Sequence, residues 1–104
     1  MRIDLLLEYI KDDPDDPFLR YALGLEFQKA GNDDQALEQF LLVKDRFSDY
    51  LPNYYQLGSL LVRKGDKQEA ISVLNTGIEL AASQGDDHTA GELRGLLEEY
   101  SHDL

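Results

Sequence analysis

The 104-residue chain predicts an all-α fold, an array of about six helices paired as antiparallel hairpins. Three observations predict it. First, the chain repeats at a period of 34 residues. Residues 17–50 laid over 51–84 coincide at five positions: Tyr21/Tyr55, Leu23/Leu57, Gly24/Gly58, Gly31/Gly65 and Ala36/Ala70. Roughly two coincidences are expected from ordinary residue frequencies. Lys29/Arg63, Asn32/Asp66, Leu37/Ile71 and Phe40/Leu74 match in class without a gap. Second, no segment sustains the two-residue alternation of a strand. Third, the connections are a few residues long, which forces neighbouring helices into hairpins.

The elements follow in order. Residues 2–12 place Ile3, Leu6, Leu7 and Ile10 on one helical face. Asp12-Asp13-Pro14-Asp15-Asp16-Pro17 then breaks the helix, because Pro14 cannot continue it. Asp16 is a natural N-cap, with Pro17 at the first helical position. The second helix, 17–30, carries Phe18, Tyr21, Ala22, Leu25 and Phe27, and Gly31 is its left-handed stop. Asn32 caps a third helix, 33–47, with Gln35 in capping-box position. Ala36, Leu37, Phe40, Leu41 and Val43 supply its buried stripe.

Pro52 opens the fourth helix, 52–64, which stops at Gly65. Asp66-Lys67-Gln68-Glu69 is a capping box for the fifth helix, 67–82, whose apolar side holds Ala70, Ile71, Val73, Leu74, Ile78 and Ala81. Gln84-Gly85-Asp86-Asp87 is a turn and a cap. The last helix, 87–100, carries Ala90, Leu93, Leu97 and Tyr100, and residues 101–104 are expected to fray.

Composition narrows the function. The length allows one domain. Ten basic and 21 acidic side chains give a net charge of −11, with −6 on residues 1–50 and −5 on 51–104. This field repels a nucleic-acid backbone. It serves either to keep a monomer soluble or to favour basic partners. The absence of cysteine removes disulfides, thiolate metal sites and cysteine nucleophiles. Leu5-Leu6-Leu7 is too short for a signal-peptide core, and no run of about 18 apolar residues is present to span a membrane. A soluble cytoplasmic protein is expected.

Antiparallel helices approach closely only where the intervening side chains are small. Gly24 and Gly58 sit mid-helix, where glycine costs about 1 kcal/mol relative to alanine. Their recurrence 34 residues apart implies a packing reason. Ala36 and Ala70 are the matching small residues, and Phe40 and Leu74 fill the space one turn on. Gly77 is a further candidate for close approach. Gly91 and Gly95 either permit close packing on the fifth helix or weaken the last helix as a cap.

These residues resemble the tetratricopeptide repeat. Its pattern reads here as Leu23-Gly24-x-x-Phe27, Gly31 and Ala36-x-x-x-Phe40, then Leu57-Gly58-x-x-Leu61, Gly65 and Ala70-x-x-x-Leu74. The family's late proline is replaced by Ser48 and Ala82, and Arg20 stands where a large residue is common (Tyr54 in the second copy). In this register residues 2–16 form a half-repeat, 17–50 and 51–84 two full repeats, and 85–104 a C-terminal capping helix. The terminal helix has the wetter face an array end needs, in Glu92, Arg94, Glu98 and Glu99.

The resemblance implies a right-handed superhelix, an α-solenoid, whose first helices line a concave groove for a peptide or a partner helix. The family's groove positions fall on Phe18, Tyr21, Leu25, Gln28 and Lys29, and on Pro52, Tyr55, Ser59, Val62 and Arg63. The two tyrosines suit binding anchors. Lys29 and Arg63 suit an acidic group or a C-terminal carboxylate, or are helix ends favoured by the dipole. Chaperone-tail binders of the family use a Lys and Asn clamp; Tyr21, Leu25, Tyr55 and Ser59 at comparable positions argue against that type of receptor.

No residue constellation points to an enzyme, a cofactor or a metal. Asp12 to Asp16 has calcium-like ligand density but lacks the central Gly and distal Glu of a calcium loop. His88 and His102 have no ligand cluster around them. No Gly-x-Ser-x-Gly turn or phosphate-cradling glycine loop occurs. The expected function is a protein-interaction adaptor, the alternative a structural module that oligomerises through its terminal helices.

Overall fold

The computed structural model describes residues 2–101. Local sequence sets where its helices begin and end. Gly31, Gly65 and Gly85 all take positive φ, at 78°, 89° and 72°. Each closes a helix with the same pair of hydrogen bonds. Asn32 N–H reaches the Phe27 carbonyl (2.8 Å), and Gly31 N–H reaches that of Gln28 (3.0 Å). Asp66 to Leu61 and Gly65 to Val62 repeat this, as do Asp86 to Ala81 and Gly85 to Ala82. These are Schellman stops, in which the left-handed residue turns two N–H groups back onto the last turn.

The residue after each stop caps the next helix. Asn32 Oδ1 accepts from Gln35 N–H (3.2 Å), Asp66 Oδ1 from Glu69 N–H (3.2 Å) and Asp86 Oδ1 from Thr89 N–H (3.0 Å). The Gln35 side chain meets the Asn32 side-chain amide. The resulting helices are α1 (Ile3–Asp12), α2 (Pro17–Lys29), α3 (Asp33–Arg46), α4 (Pro52–Arg63), α5 (Lys67–Ser83) and α6 (Asp87–Ser101). No strand occurs among the described residues. Each observed end lies within one residue of the expected one.

The helices divide into two compact units, Met1–Asn53 and Tyr54–Leu104. In the first, α1 packs on α2 and α2 on α3. Leu6, Ile10, Leu19 and Leu23 form a buried cluster with Ile3, Ala22 and Phe27 against it. A Cβ placed on Gly24 would fall 2.8 Å from Cδ1 and 2.9 Å from Cζ of Phe40, so the fully buried ring occupies the space a side chain would need. Asn53 is fully buried and donates from Nδ2 to the Phe40 carbonyl (2.9 Å), tying the start of α4 to α3. Arg46 Nη2 reaches Asp15 Oδ1 (3.2 Å), joining the end of α3 to the α1–α2 turn. Arg20 is half-buried, with Nη1 donating to Gln39 Oε1 (3.4 Å).

One expectation for α1 is corrected. Leu7 does not share the buried face; it is 46% exposed, alongside exposed Leu5 and Tyr9. Neighbouring residues lie about 100° apart around a helix. The single contact face toward α2 covers Leu6 and Ile10 and leaves Leu7 at its edge.

The second unit repeats the device. A Cβ on Gly58 would lie 2.7 Å from Leu74 Cδ2 and 2.9 Å from its Cγ. Gly77 is a third close approach, with its Cβ position 2.8 Å from Tyr54 Cβ and 3.1 Å from Leu93 Cδ1. Tyr54 is buried there, whereas Arg20, its counterpart one period earlier, is half-buried. α6 packs on α5 and buries Ala90, Leu93 and Leu96. Leu97 and Tyr100 are only half-buried. Gly91 and Gly95 face open space, so close packing on α5 does not account for them.

Candidate peptide-binding surface

The spacing of the α2 candidates defines a stripe. Phe18, Tyr21, Leu25, Gln28 and Lys29 fall within an arc of about 100° at 3.6 residues per turn. The opposite side of α2 is buried through Leu19, Leu23 and Gly24. Packing on α1 and α3 therefore fixes which way the stripe points. Phe18 is 48% exposed, Lys29 is exposed, and Tyr21, Leu25 and Gln28 are half-buried. The stripe is apolar and aromatic at its N-terminal end and polar at its C-terminal end.

Tyr21 is held by two aromatic neighbours. Its ring centroid lies 6.0 Å from that of Phe40, tilted by 47°, and 5.5 Å from that of Tyr50, nearly edge-on at 64°. Phe40 is the same ring that fills the space beside Gly24. The 34-residue repeat thus positions Tyr21 indirectly, through Phe40 of α3. Tyr50 was not visible as a site residue in the sequence. It comes from the 47–51 turn, which has no periodicity to read, and its N–H donates to the Phe47 carbonyl (2.9 Å). Burial pushes the Tyr50 phenol above its ordinary value of 10.0, and Tyr21 and then the Asp16 carboxylate add to the shift. Asp16 also accepts from Phe18 N–H (3.0 Å) as the N-cap of α2. One end of the first unit therefore gathers Asp16, Phe18, Tyr21 and Tyr50.

At the other end of the stripe, Lys29 Nζ lies 3.5 Å from Glu26 Oε2. The lysine itself is largely exposed, so this is an ordinary solvent-screened pair one turn apart.

In the second unit the α4 stripe shows the same spacing. Tyr55 is 39% exposed, Arg63 is exposed, and Ser59 and Val62 are half-buried; Pro52, which opens α4, is exposed. The buried side of α4 consists of Asn53, Tyr54, Leu57, Gly58, Leu60 and Leu61. Every groove position expected from the sequence is thus at least partly exposed, on a helix whose opposite side is buried.

Among the described residues no three His, Cys, Asp or Glu side chains are placed to hold a metal ion. His88 Nε2 lies 3.6 Å from Glu92 Oε1, an ordinary exposed contact one helical turn apart. His102 lies outside the described residues. No helix among the described residues is long and apolar enough to cross a membrane.

Comparison with known proteins agrees with this architecture. A tetratricopeptide repeat family model matches residues 51–84. The crystal structure of a tetratricopeptide repeat domain protein from Salinibacter ruber superposes with a TM-score of 0.80 and 34% identity, covering 84% of this chain and 97% of that one. A solution structure of a tetratricopeptide repeat domain protein from the same organism gives 0.80 and 36%, covering 85% and 89%. A protein from Bordetella parapertussis shares the fold, at a TM-score of 0.82 and 24% identity over 99% of this chain and 90% of that one. No curated protein gives a significant match. With paired helices in a 34-residue register, mid-helix glycines under Phe40 and Leu74, and these relatives, the chain belongs to the tetratricopeptide repeat family.

Proposed function

We propose that this chain is an interaction module that docks a peptide or helix of another protein on the family's groove positions, the outward stripes of α2 and α4. Domains of this family generally bind other proteins, and their repeats are generally not enzymes. The observation that carries the reading is the pair of stripes. Each is carried by the first helix of its repeat, the other side of which is buried, and each leaves an aromatic residue, Phe18 or Tyr55, well exposed. An aromatic body with few rotatable bonds makes a good anchor.

The test is affinity capture from native extract with the wild type beside Tyr21→Phe/Tyr55→Ala and Phe18→Ala/Tyr55→Ala. These variants retain Leu19, Leu23 and Phe40, so their unfolding midpoints should stay close to wild type. A protein held by the wild type and lost by both Tyr55→Ala variants supports the reading. Unchanged capture by folded variants refutes it.

A second reading has its own observation. α1 leaves Leu5, Leu7 and Tyr9 exposed on an end helix of the array, a surface through which two copies could associate. A concentration-independent monomer mass removes that reading.

A further inference from the structure

We propose that the aromatic end of the first unit, built from Phe18, Tyr21 and Tyr50 beside Asp16, takes an arginine side chain from a basic segment of the partner. This rests on the interaction reading above and names the chemistry of what docks there.

The feature that selects the ligand is the set of rings. Tyr21 and Tyr50 meet nearly edge-on at 5.5 Å. Phe18 stands three residues before Tyr21 on the same side of α2 and is about half exposed. Aromatic faces carry negative potential and attract a cation within about 6 Å of the ring centroid, Arg more often than Lys. A guanidinium also stacks on such faces and is more weakly hydrated than an ammonium, so it loses less on leaving water.

Charge complementarity points the same way. Residues 12–18 contain four aspartates and no lysine or arginine. Asp16 is near enough to Tyr50 to disfavour its ionisation. The same negative potential favours an incoming cation. Two basic side chains of this unit have contacts of their own: Arg46 is placed at 3.2 Å from Asp15 and 5.1 Å over the Phe47 ring, and Arg20 donates to Gln39.

Other occupants fit less well. An acidic tail or C-terminal carboxylate would need a cation beside the three rings, and Lys29 stands about three turns away at the other end of the stripe, next to Glu26. A second copy of the chain would bring another net −11 toward the same aspartates.

The probe is a short acetylated and amidated Gly-Arg-Gly-Arg-Gly peptide, titrated into isotopically labelled full-length protein and followed by aromatic and amide NMR. Its citrulline analogue keeps the shape without the charge. The Arg peptide should perturb Phe18, Tyr21 and Tyr50 first, with affinity falling at least about fivefold from low to physiological salt. Asp16→Asn keeps a capping side chain and removes the charge; it and Phe18→Ala should each weaken binding at least about threefold. Tyr55→Ala should change it less than twofold.

Equal binding of the citrulline peptide, perturbations spread over acidic surface away from the three rings, preference for a Glu-containing peptide, or no binding each overturns the arginine assignment. Capture that still depends on Tyr55 in that case leaves the interaction module standing. Capture indifferent to the stripes removes both.

Discussion

Alanine placed at different helical glycines of this chain should move stability in opposite directions, and the structure sets the sign. Gly24, Gly58, Gly91 and Gly95 all lie inside helices. On helix propensity alone each Gly→Ala change stabilises by about 1 kcal/mol. At Gly91 and Gly95 nothing lies within 4 Å of the new Cβ, so the full gain of about 0.5–1 kcal/mol is expected. At Gly24 the new carbon would overlap three atoms of the fully buried Phe40 ring. Overpacking of this kind costs about 1–3 kcal/mol, which exceeds the propensity gain. With three ring atoms overlapped in a fully buried site the upper part of that range, about 2–3 kcal/mol, applies, and the net expectation for Gly24→Ala is a loss of about 1–2 kcal/mol. Gly58→Ala should lose less, because Leu74 can change rotamer where a ring cannot.

The assay is urea and thermal unfolding by circular dichroism for the four single variants. About 1 kcal/mol corresponds to roughly 4–8 °C for a domain of this size, so Gly24→Ala should melt below wild type and Gly91→Ala above it. Phe40→Leu in the Gly24→Ala background should recover part of the loss relative to Phe40→Leu alone, because residues in contact couple. If Gly24→Ala and Gly91→Ala shifted stability equally and with the same sign, the packing explanation for the 34-residue glycine register would be refuted.

Outcomes at three further positions are expected. Asn53→Ala removes the buried bond to the Phe40 carbonyl and should cost about 1–2 kcal/mol in urea unfolding. Asn53→Asp sets a carboxylate against that carbonyl in the core and should cost more than the alanine, by at least about 1 kcal/mol. Thr89 N–H, and then the Thr89 hydroxyl, hold the Asp86 carboxyl below its ordinary 3.8. The stabilisation of α6 is therefore full above 3.8 and fades as pH falls through the lower folded value. Asp86→Ala should be less stable than wild type at pH 7, with the difference vanishing in acid unfolding curves. Burial raises the Tyr50 phenol above 10.0. Its contribution is full below 10.0 and is lost as pH rises through the folded value. Tyr50→Phe should shift the alkaline unfolding midpoint upward, and ultraviolet titration of the folded wild type should show one more late-ionising tyrosine than the variant.

The helices were legible because their ends are chemical. Asp16-Pro17, Gly31-Asn32 and Gly65-Asp66 write stop and start signals into single residues, and the observed caps use those side chains. The register of Gly24 with Phe40 was legible because the same pair recurs as Gly58 with Leu74. Side chains whose role depends on a neighbouring element were harder to read. Tyr50 sits in an aperiodic turn, so its contact with Tyr21 left no mark in the spacing. Asn53 looks like an exposed first-turn polar residue, yet it is fully buried. Its counterpart one period earlier is Leu19, also buried, and that comparison was the available signal. In α6 the apolar pair Leu96-Leu97 fits two neighbouring stripes, and packing on α5 buries Leu96 in preference to Leu97. Leu7 shows the same ambiguity in α1.

Site-specific photocrosslinking tests the central claim most directly. A photoreactive phenylalanine analogue at position 18 or 55 sits on the proposed stripes, and the same group at Ser72 or Glu98 sits on exposed positions of α5 and α6. In native extract, positions 18 and 55 should each link to the same protein, while Ser72 and Glu98 do not. Crosslinks to one protein from Ser72 or Glu98, with none from positions 18 and 55, would contradict the assignment of binding to the first helices.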